Sequence, residues 1–517
     1  VSSAQKNIND AKITYGTFNL REVSWNYAQS FGLYSHSSYF NNKTTDGYRD
    51  HNEQTQTSFE SEVRYEASKG DIFLKFGLND QNMNTPGDRS QNQIYTDRKG
   101  TDTANDYIKS DGASVLFGGN YKINDNNELI IDSSFRFKDS YSDLQTSSFP
   151  SYSETLLKNY QFTPRINTFV DLFGKKTNFT YGLDLQYADY YSHRKKNQEA
   201  VPLHVYDAWQ STQSLYFQQS INLTKNMIFG SGLRLQRNNI AIGDHLEIYA
   251  PDYAGWQEEH DTFSNQENNY ASNIGLNYDI SEKTSVYGRI GNGFRYPNID
   301  DRIGGSGGTS LNLLTQKTKD LEIGSEYSTE KFSLNFSTYI IEGKNELAYD
   351  TDAFENINMN STRRYGAELE TKNRINNKLN IINNFTVLKA QYTSGDQGTY
   401  ATDFNGNDVP LVPLYSLNSL FEWNFSKSSK IISSFKYQDE MRMESDDENF
   451  QPKIPNYFIS GLGFFSKFDK FFLDMQINNI FNDTYYNYAV SSSSTLGSYN
   501  VYPMPGREIK ISLGTEF

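Results

Sequence analysis

Apolar and polar residues alternate with a period of two along most of this chain. In residues 71–79, Ile72, Leu74, Phe76 and Leu78 share one face, while Phe73, Lys75, Gly77 and Asn79 share the other. In 128–138, Leu129, Ile131, Phe135 and Phe137 oppose Asp132, Ser134, Arg136 and Lys138. Phe179, Tyr181, Leu183, Leu185 and Tyr187 oppose Thr180, Gly182, Asp184 and Gln186. Met227, Phe229, Leu233 and Leu235 oppose Gly230, Gly232, Arg234 and Gln236. Ile509, Ile511, Leu513 and Phe517 oppose Glu508, Lys510, Ser512 and Glu516. The period is that of strands with one apolar face, and no comparable stripe runs at helical spacing. Each run is near the roughly 9–11 residues with which a tilted strand crosses a bilayer.

The connections alternate as well. Short turns are expected at 68–70, 124–127, 173–176, 224–226, 281–283, 328–331, 376–378, 426–429 and 467–470, where Gly, Asn, Asp, Ser and Lys collect. Long polar loops are expected at 41–55, 81–110, 139–155, 192–209, 238–268, 295–317, 344–358, 393–413, 440–455 and 483–500. That asymmetry predicts an all-β fold: an antiparallel transmembrane barrel of about 22 strands, with short periplasmic turns and long extracellular loops. With 8–16 and 18–28 as its first hairpin, the barrel takes the whole of residues 1–517. In hydrocarbon a sheet must close on itself so that every N–H and C=O is paired. A propeller or sandwich also gives many strands, but need not alternate its loops in this way.

Composition sharpens the choice. No residue is cysteine, which removes disulfide frameworks, thiolate metal sites and cysteine nucleophiles. No run of 18 apolar residues exists, so no helix of this chain can span a membrane. No basic segment followed by an apolar one opens the sequence, and a secretory leader is expected to have been removed already. The net charge of −15 argues against nucleic acid as a partner. Yet 15% of residues are aromatic, with 38 Tyr and 35 Phe. A disordered polar chain lacks such rings; a wall between lipid and water needs them.

Several segments then resemble the barrel of TonB-dependent outer-membrane receptors. Gly293-Phe294-Arg295-Tyr296-Pro297-Asn298 is similar to a strand-end element of that family, and Leu321-Glu322-Ile323-Gly324 to one of its strands. Asn360 followed by Tyr365-Gly366-Ala367-Glu368, and Asn479-Ile480-Phe481-Asn482 with Tyr485, resemble two more, the last with Asn for the usual Asp. Tyr15-Gly16-Thr17-Phe18 and Asp46-Gly47-Tyr48-Arg49 resemble elements at the barrel's opening. Pro505-Gly506-Arg507 leads to a final strand that ends in Phe517, and the resemblance gives this terminal ring the role of membrane-insertion signal. The resemblance implies an outer-membrane receptor of a Gram-negative bacterium, energised through TonB and closed by an N-terminal plug. The chain is expected to begin in its first barrel strand, with plug and TonB-binding segment lying outside this sequence. Asp132, Arg136, Asp184, Arg234, Glu322 and Glu326 are expected to line the lumen and meet the plug.

The resemblance implies uptake of a scarce nutrient, with an anionic ferric siderophore favoured and cobalamin, haem or a passive porin as alternatives. No catalytic residues, cofactor or resident metal are expected, and the chain is not read as an enzyme. Guanidinium forks and aromatic faces suit the oxygens of a metal chelate. Candidate contacts are Arg194, Lys195 and Lys196 in one outer loop, flanked by Tyr190 and Tyr191 at the outer end of the strand before it, with Arg295, Tyr296 and Arg302 in a later loop and Arg363 and Arg364 near the outer end of the strand that follows. The same basic run also suits the phosphates of lipopolysaccharide, a second expected partner beside outer-membrane lipid. His51, His193, His204, His245 and His260 are the imidazoles that a haem reading would use, although none lies in 295–317. Asp403-Phe404-Asn405-Gly406-Asn407-Asp408 has oxygens at alternate positions, as calcium loops do, but lacks the Gly at the sixth place. Gly304-Gly305-Ser306-Gly307-Gly308 lacks the Gly-Lys-Ser/Thr of a phosphate loop and reads as a loop tip.

Overall fold

The computed structural model describes residues 8–144, 152–246, 262–303, 311–350, 355–393 and 404–517. One antiparallel sheet of 22 strands holds them together. Its ends join: Ile8–Gly16 pairs with Leu20–Phe31 on one side and with Glu508–Glu516 on the other, Ile13 opposite Leu513 and Tyr15 opposite Ile511. The seam is tied inside by Thr14 Oγ1 and Ser512 Oγ at 2.8 Å. No edge remains, as lipid requires. Each short turn expected from the sequence joins two consecutive barrel strands, and residues 32–33 add another. At 173–174 both residues have positive φ, Phe173 at 53° and Gly174 at 75°, the backbone sense that matches sheet twist.

The alternation reads directly as inside and outside. Ile72, Leu74, Phe76 and Leu78 are all exposed; Lys75 on the opposite phase pairs with Glu60 at 2.8 Å. The six expected lumen charges share that inward phase. Asp132 meets Arg165 at 2.9 Å and Asp184 meets Arg234 at 2.6 Å. Outward rings form a girdle: Phe135 contacts Tyr160 at 5.0 Å, Tyr160 contacts Tyr187 at 6.2 Å, and Tyr187 stacks on Trp209 at 6.3 Å.

The strands depart from the expected uniform length. Tyr152–Leu172, Lys175–Lys195 and His204–Thr224 have 21 residues each, against 9 in Ile8–Gly16. At about 3.3 Å per residue they run far past the roughly 25 Å apolar band. Among the described residues, the loops expected at 139–155, 192–209 and 238–268 are therefore more strand than loop, with the strands running to Asp143, Lys195 and Leu246. Above the lipid the outward face no longer needs to be apolar, so the outward apolar phase stops while the ladder of backbone bonds continues.

The outer loops carry structure of their own. Arg89–Ser90, Tyr486–Ser491 and Tyr499–Pro503 form a small sheet beside the helix Gln93–Thr96. Ile94, Met441, Met443, Ile454, Ala489 and Val501 are its buried core. Arg49, in the Asp-Gly-Tyr-Arg element, is buried and donates to the carbonyls of Pro86, Gly87, Asp88 and Gly100, fixing one loop onto another. Asn482 accepts from the Arg507 backbone N–H at 2.8 Å, and Asn479 brackets Asp483 through both its amide atoms. A side-chain oxygen is what position 482 supplies, and Asn supplies it as Asp would.

Candidate functional site

The outer end of the lumen is not uniformly wet. Tyr190, Tyr206, Ala208, Ile240 and Ile242 all point inward and are buried there. Five apolar groups on an inward wall would face water unless covered. The cover is the helix Ile299–Ile303, whose Ile299 and Ile303 close the cluster. Its start is built by a reciprocal cap: the Asp301 N–H donates to Asn298 Oδ1 at 2.7 Å, and the Asn298 N–H to Asp301 Oδ2 at 2.8 Å. Arg295 reaches over the same carboxylate, with its Nη2 3.0 Å from each oxygen. The Tyr296 hydroxyl donates to the Gln236 carbonyl at 3.1 Å, which pins the loop to the wall.

Arg302 closes the arrangement from below. It is 1% exposed, lies over the Phe263 ring at 5.0 Å, and donates to the Leu311 carbonyl. Glu267 stands 3.9 Å away and accepts from Thr315. Burial pulls the guanidinium below its ordinary pKa, with the Glu267 and Asp301 carboxylates opposing the shift. Two of its nitrogens, Nε and Nη2, are buried without a hydrogen-bond partner.

The expected contacts divide between two surfaces. Tyr190, Arg194, Arg295, Tyr296, Arg302 and Arg364 belong to the lumen side. Arg194 Nη2 is 3.5 Å from the Tyr190 hydroxyl and its Nε has no partner. Arg364 forks onto Glu346 at 2.5 and 2.6 Å. Tyr191, Lys195 and Arg363 fall on the opposite phase and face outward. Tyr191 meets His193 at 3.0 Å, Lys195 meets Glu154 at 3.0 Å, and Arg363 meets Glu342 at 2.7 Å. Tyr190 and Tyr191 lie on the strand as expected, and Arg194 and Lys195 sit on it rather than in a loop, because Lys175–Lys195 continues above the lipid; Lys196 follows its end. Sequence reasoning did not find Tyr206, Ile240, Ile242 or Glu267.

The imidazoles are mostly engaged. His204 Nδ1 lies 2.9 Å from Asp244 and its ring stacks on Tyr206 at 5.7 Å. His51 Nε2 meets the Asp106 carbonyl at 2.7 Å, and His193 meets Glu154 at 3.1 Å. His245 lies outward on the strand Met227–Leu246. His260, Asp403 and the Gly304–Gly308 run lie outside the described residues. In the remainder of the calcium-like run, Phe404 is buried against Tyr392 and the Asp408 N–H donates to Asn449 Oδ1 at 2.8 Å. Among the described residues no group of three or more His, Asp or Glu converges on a common point. Phe517 is exposed beyond the last strand, its N–H on the Asn9 carbonyl at 2.9 Å.

The family model described as TonB dependent receptor-like, beta-barrel matches residues 4–482. The chain belongs to this family. It is a β-barrel of the bacterial outer membrane, and the family and fold are those of receptors and transporters. Solved structures share the fold at low identity. The ferric-catecholate import receptor Fiu from E. coli K12 aligns at TM-score 0.80 and 13% identity, over 100% of this chain and 82% of that one. The ferric yersiniabactin uptake receptor FyuA from Yersinia pestis aligns at 0.82 and 15%, over 100% and 81%. The ferric citrate transporter FecA, unliganded, aligns at 0.84 and 12%, over 100% and 79%. In this TonB-dependent receptor the inward-folded residues 296–303 and the wall beneath them form the candidate ligand-binding region.

Proposed function

We propose that this barrel is the membrane-spanning part of a receptor for a ferric siderophore, energised through TonB and stoppered by a plug supplied outside residues 1–517. The observation that carries the reading is the pairing, at the outer end of the lumen, of an apolar-aromatic patch with guanidinium groups that keep open donors. Tyr190 and Tyr206 supply ring faces that the helix Ile299–Ile303 covers and would bare on lifting. Arg194 Nε and Arg302 Nε are buried beside them without a hydrogen-bond partner, and Arg295 is half exposed to the lumen although it holds Asp301. A chelate of ferric iron presents oxygen acceptors around a compact, partly aromatic body, which suits both elements. The names of the fold neighbours, import receptors for ferric catecholate and ferric yersiniabactin among them, agree with this substrate class. Arg364 is engaged by Glu346 and the Thr362 hydroxyl and is assigned to holding the wall rather than to the ligand. Phe517 is assigned to recognition by the insertion machinery.

Fluorescence quenching of the purified protein by a panel of ferric catecholates, hydroxamates and carboxylates tests the assignment. One class is expected to bind, with affinity falling at least about tenfold in Arg194→Gln and Arg295→Gln. Binding of haem or cobalamin in place of every iron chelate, or unchanged affinity in both variants, overturns it.

A further inference from the structure

One patch of the lipid-facing wall departs from the apolar phase around it. On Leu20–Phe31, Tyr34–Thr45, Gln54–Ala67 and Gly70–Asn84 the outward residues fall into register rows. Phe31, Tyr34 and Tyr65 make the row beside the periplasmic turn at 32–33, the two tyrosine rings 5.0 Å apart. Trp25, Phe40 and Phe59 make another row six residues higher. A ring of aromatics beside the turns marks the periplasmic edge of the apolar band, so the rows above it lie in hydrocarbon. There stand Gln29, His36, Ser38 and Ser61, on the same outward phase. Gln29 and His36 are about 5 Å into the band and the serines about 10 Å.

The patch spends only part of its hydrogen-bonding capacity. His36 Nε2 lies 2.8 Å from Ser38 Oγ and 3.0 Å from Ser61 Oγ. Gln29 Oε1 accepts from the Tyr27 hydroxyl at 2.8 Å. Gln29 Nε2 and His36 Nδ1 have no partner among the described residues. With Nε2 donating to the serines, Nδ1 of the neutral ring is an acceptor. Gln29 and His36 are directly opposed, so an unspent donor and an unspent acceptor stand side by side. Acyl chains answer neither, and a polar group left unpaired in hydrocarbon is costly. Elsewhere the lipid-facing amide of Asn383 is answered within the wall, by Thr371 Oγ1 at 3.2 Å.

Shape and symmetry select the occupant. Leu20–Phe31 and Tyr34–Thr45 have 12 residues each, against 21 in the tall wall, so the sheet ends low here and a neighbour can approach it flat. Two copies inserted in the same sense face one another across a two-fold axis along the membrane normal, and such an interface needs one patch that complements itself. Gln29 and His36 meet that condition. Four strands by four rows, at spacings of about 4.8 and 6.8 Å, cover about 500 Å² a copy, or about 1,000 Å² in all, the size at which specific interfaces begin. We infer that this face joins two copies of the chain within the outer membrane, Gln29 Nε2 of each donating to His36 Nδ1 of the other. The aromatic rows above and below pack on their counterparts and keep lipid from the bonds. The pairing leaves the lumen free.

Cross-linking in native outer membranes tests the inference, and a sequence without cysteine allows single reporters. Val63→Cys, exposed and directly opposite His36, should give a species of twice the monomer mass with a bifunctional maleimide. Ile323→Cys, similarly exposed on the opposite wall, should not. Adding Q29L/H36L to Val63→Cys should lower the yield at least tenfold. Both changes make the lipid-facing surface more apolar, and heat-modifiable migration on gels reports that the barrel is closed. Gln29→Leu alone breaks both reciprocal bonds and should lower the yield too. Native mass spectrometry of the purified full chain in mild detergent should show the same loss of dimer. Undiminished dimer in the double variant, equal cross-linking through Ile323→Cys, or a product whose mass is not twice the monomer's overturns it.

Discussion

Tyr287 lies directly opposite Gly324, and a Cβ at that glycine would stand only 2.4 Å from the tyrosine ring, too close for any side chain. The ring spreads over the bare backbone and its hydroxyl donates to Glu322 Oε1 at 2.7 Å. Tyr339 repeats the device against Gly366, donating to Glu368 at 3.3 Å. Two family-like elements, Glu322-Ile323-Gly324 and Gly366-Ala367-Glu368, thus have one physical cause: a glycine that admits a cross-strand ring, and a carboxylate two residues away that takes its hydroxyl. Covering a strand glycine with an aromatic ring also restores the packing that the missing side chain forfeits.

Gly324→Val and Gly366→Val should each destabilise the barrel by about 1–3 kcal/mol, because the ring must leave its rotamer and surrender its hydrogen bond. Urea unfolding in lipid vesicles reads the loss. Glu322→Gln keeps an acceptor for Tyr287 and should change stability much less than either valine.

Inside and outside differ by one residue. Leu276 is outward and exposed, while Asn277 faces the lumen opposite Tyr287. Both lie near the middle of the membrane, about half the band's height above the turn at 282–283. Leu276→Arg should cost about 2–4 kcal/mol or block insertion. Asn277→Arg, bathed in lumen water, should stay within about 1 kcal/mol of the wild type. Comparable losses for the two would mean that the register is shifted by one.

The wall was legible because lipid imposes a single apolar phase: Leu233 and Leu235 outward, Arg234 and Gln236 inward. The turns were legible for the same reason, since each one ends an apolar run. The upper wall was harder to read. There Ile240 and Ile242 take the even positions, the opposite phase to Leu233 and Leu235 in the same strand. That phase reversal was a readable sign of an apolar patch inside the barrel. The cap that covers it was not readable, because it brings the helix Ile299–Ile303 onto strands far away in sequence. The outward turn of Tyr191, Lys195 and Arg363 follows from strand parity, which for Lys195 was concealed by treating 192–209 as a loop.

Arg302 is the fastener of the inward fold. Arg302→Ala removes the bond to the Leu311 carbonyl and the contact with Phe263, and leaves Glu267 facing the gap. Residues 299–303 should then open more readily by about 2 kcal/mol, roughly thirtyfold in hydrogen-exchange rate. The barrel's own exchange should not change, since no ladder bond involves this side chain. Exchange that speeds equally in the wall strands would show that Arg302 supports the sheet instead.

Acid should tighten the outer loops. Burial raises the Glu444 carboxyl above its ordinary range, with Asp447 nearby adding to the rise, and Glu444 also faces the Tyr488 and Tyr502 hydroxyls. Asp447 is raised chiefly by burial as well, although its bond from Tyr392 opposes this. A carboxyl whose folded pKa exceeds its unfolded one binds its proton more tightly when folded. Its folded form is therefore favoured below the unfolded value, and that stability is lost as pH climbs through the folded value. The segment 440–455 should resist proteolysis better near pH 5 than near pH 8. Glu444→Gln, neutral at both, should keep the acid-like resistance at pH 8 because the amide oxygen still accepts from Tyr488. Resistance that rises with pH, or a pH response unchanged in Glu444→Gln, would place the control of these loops elsewhere.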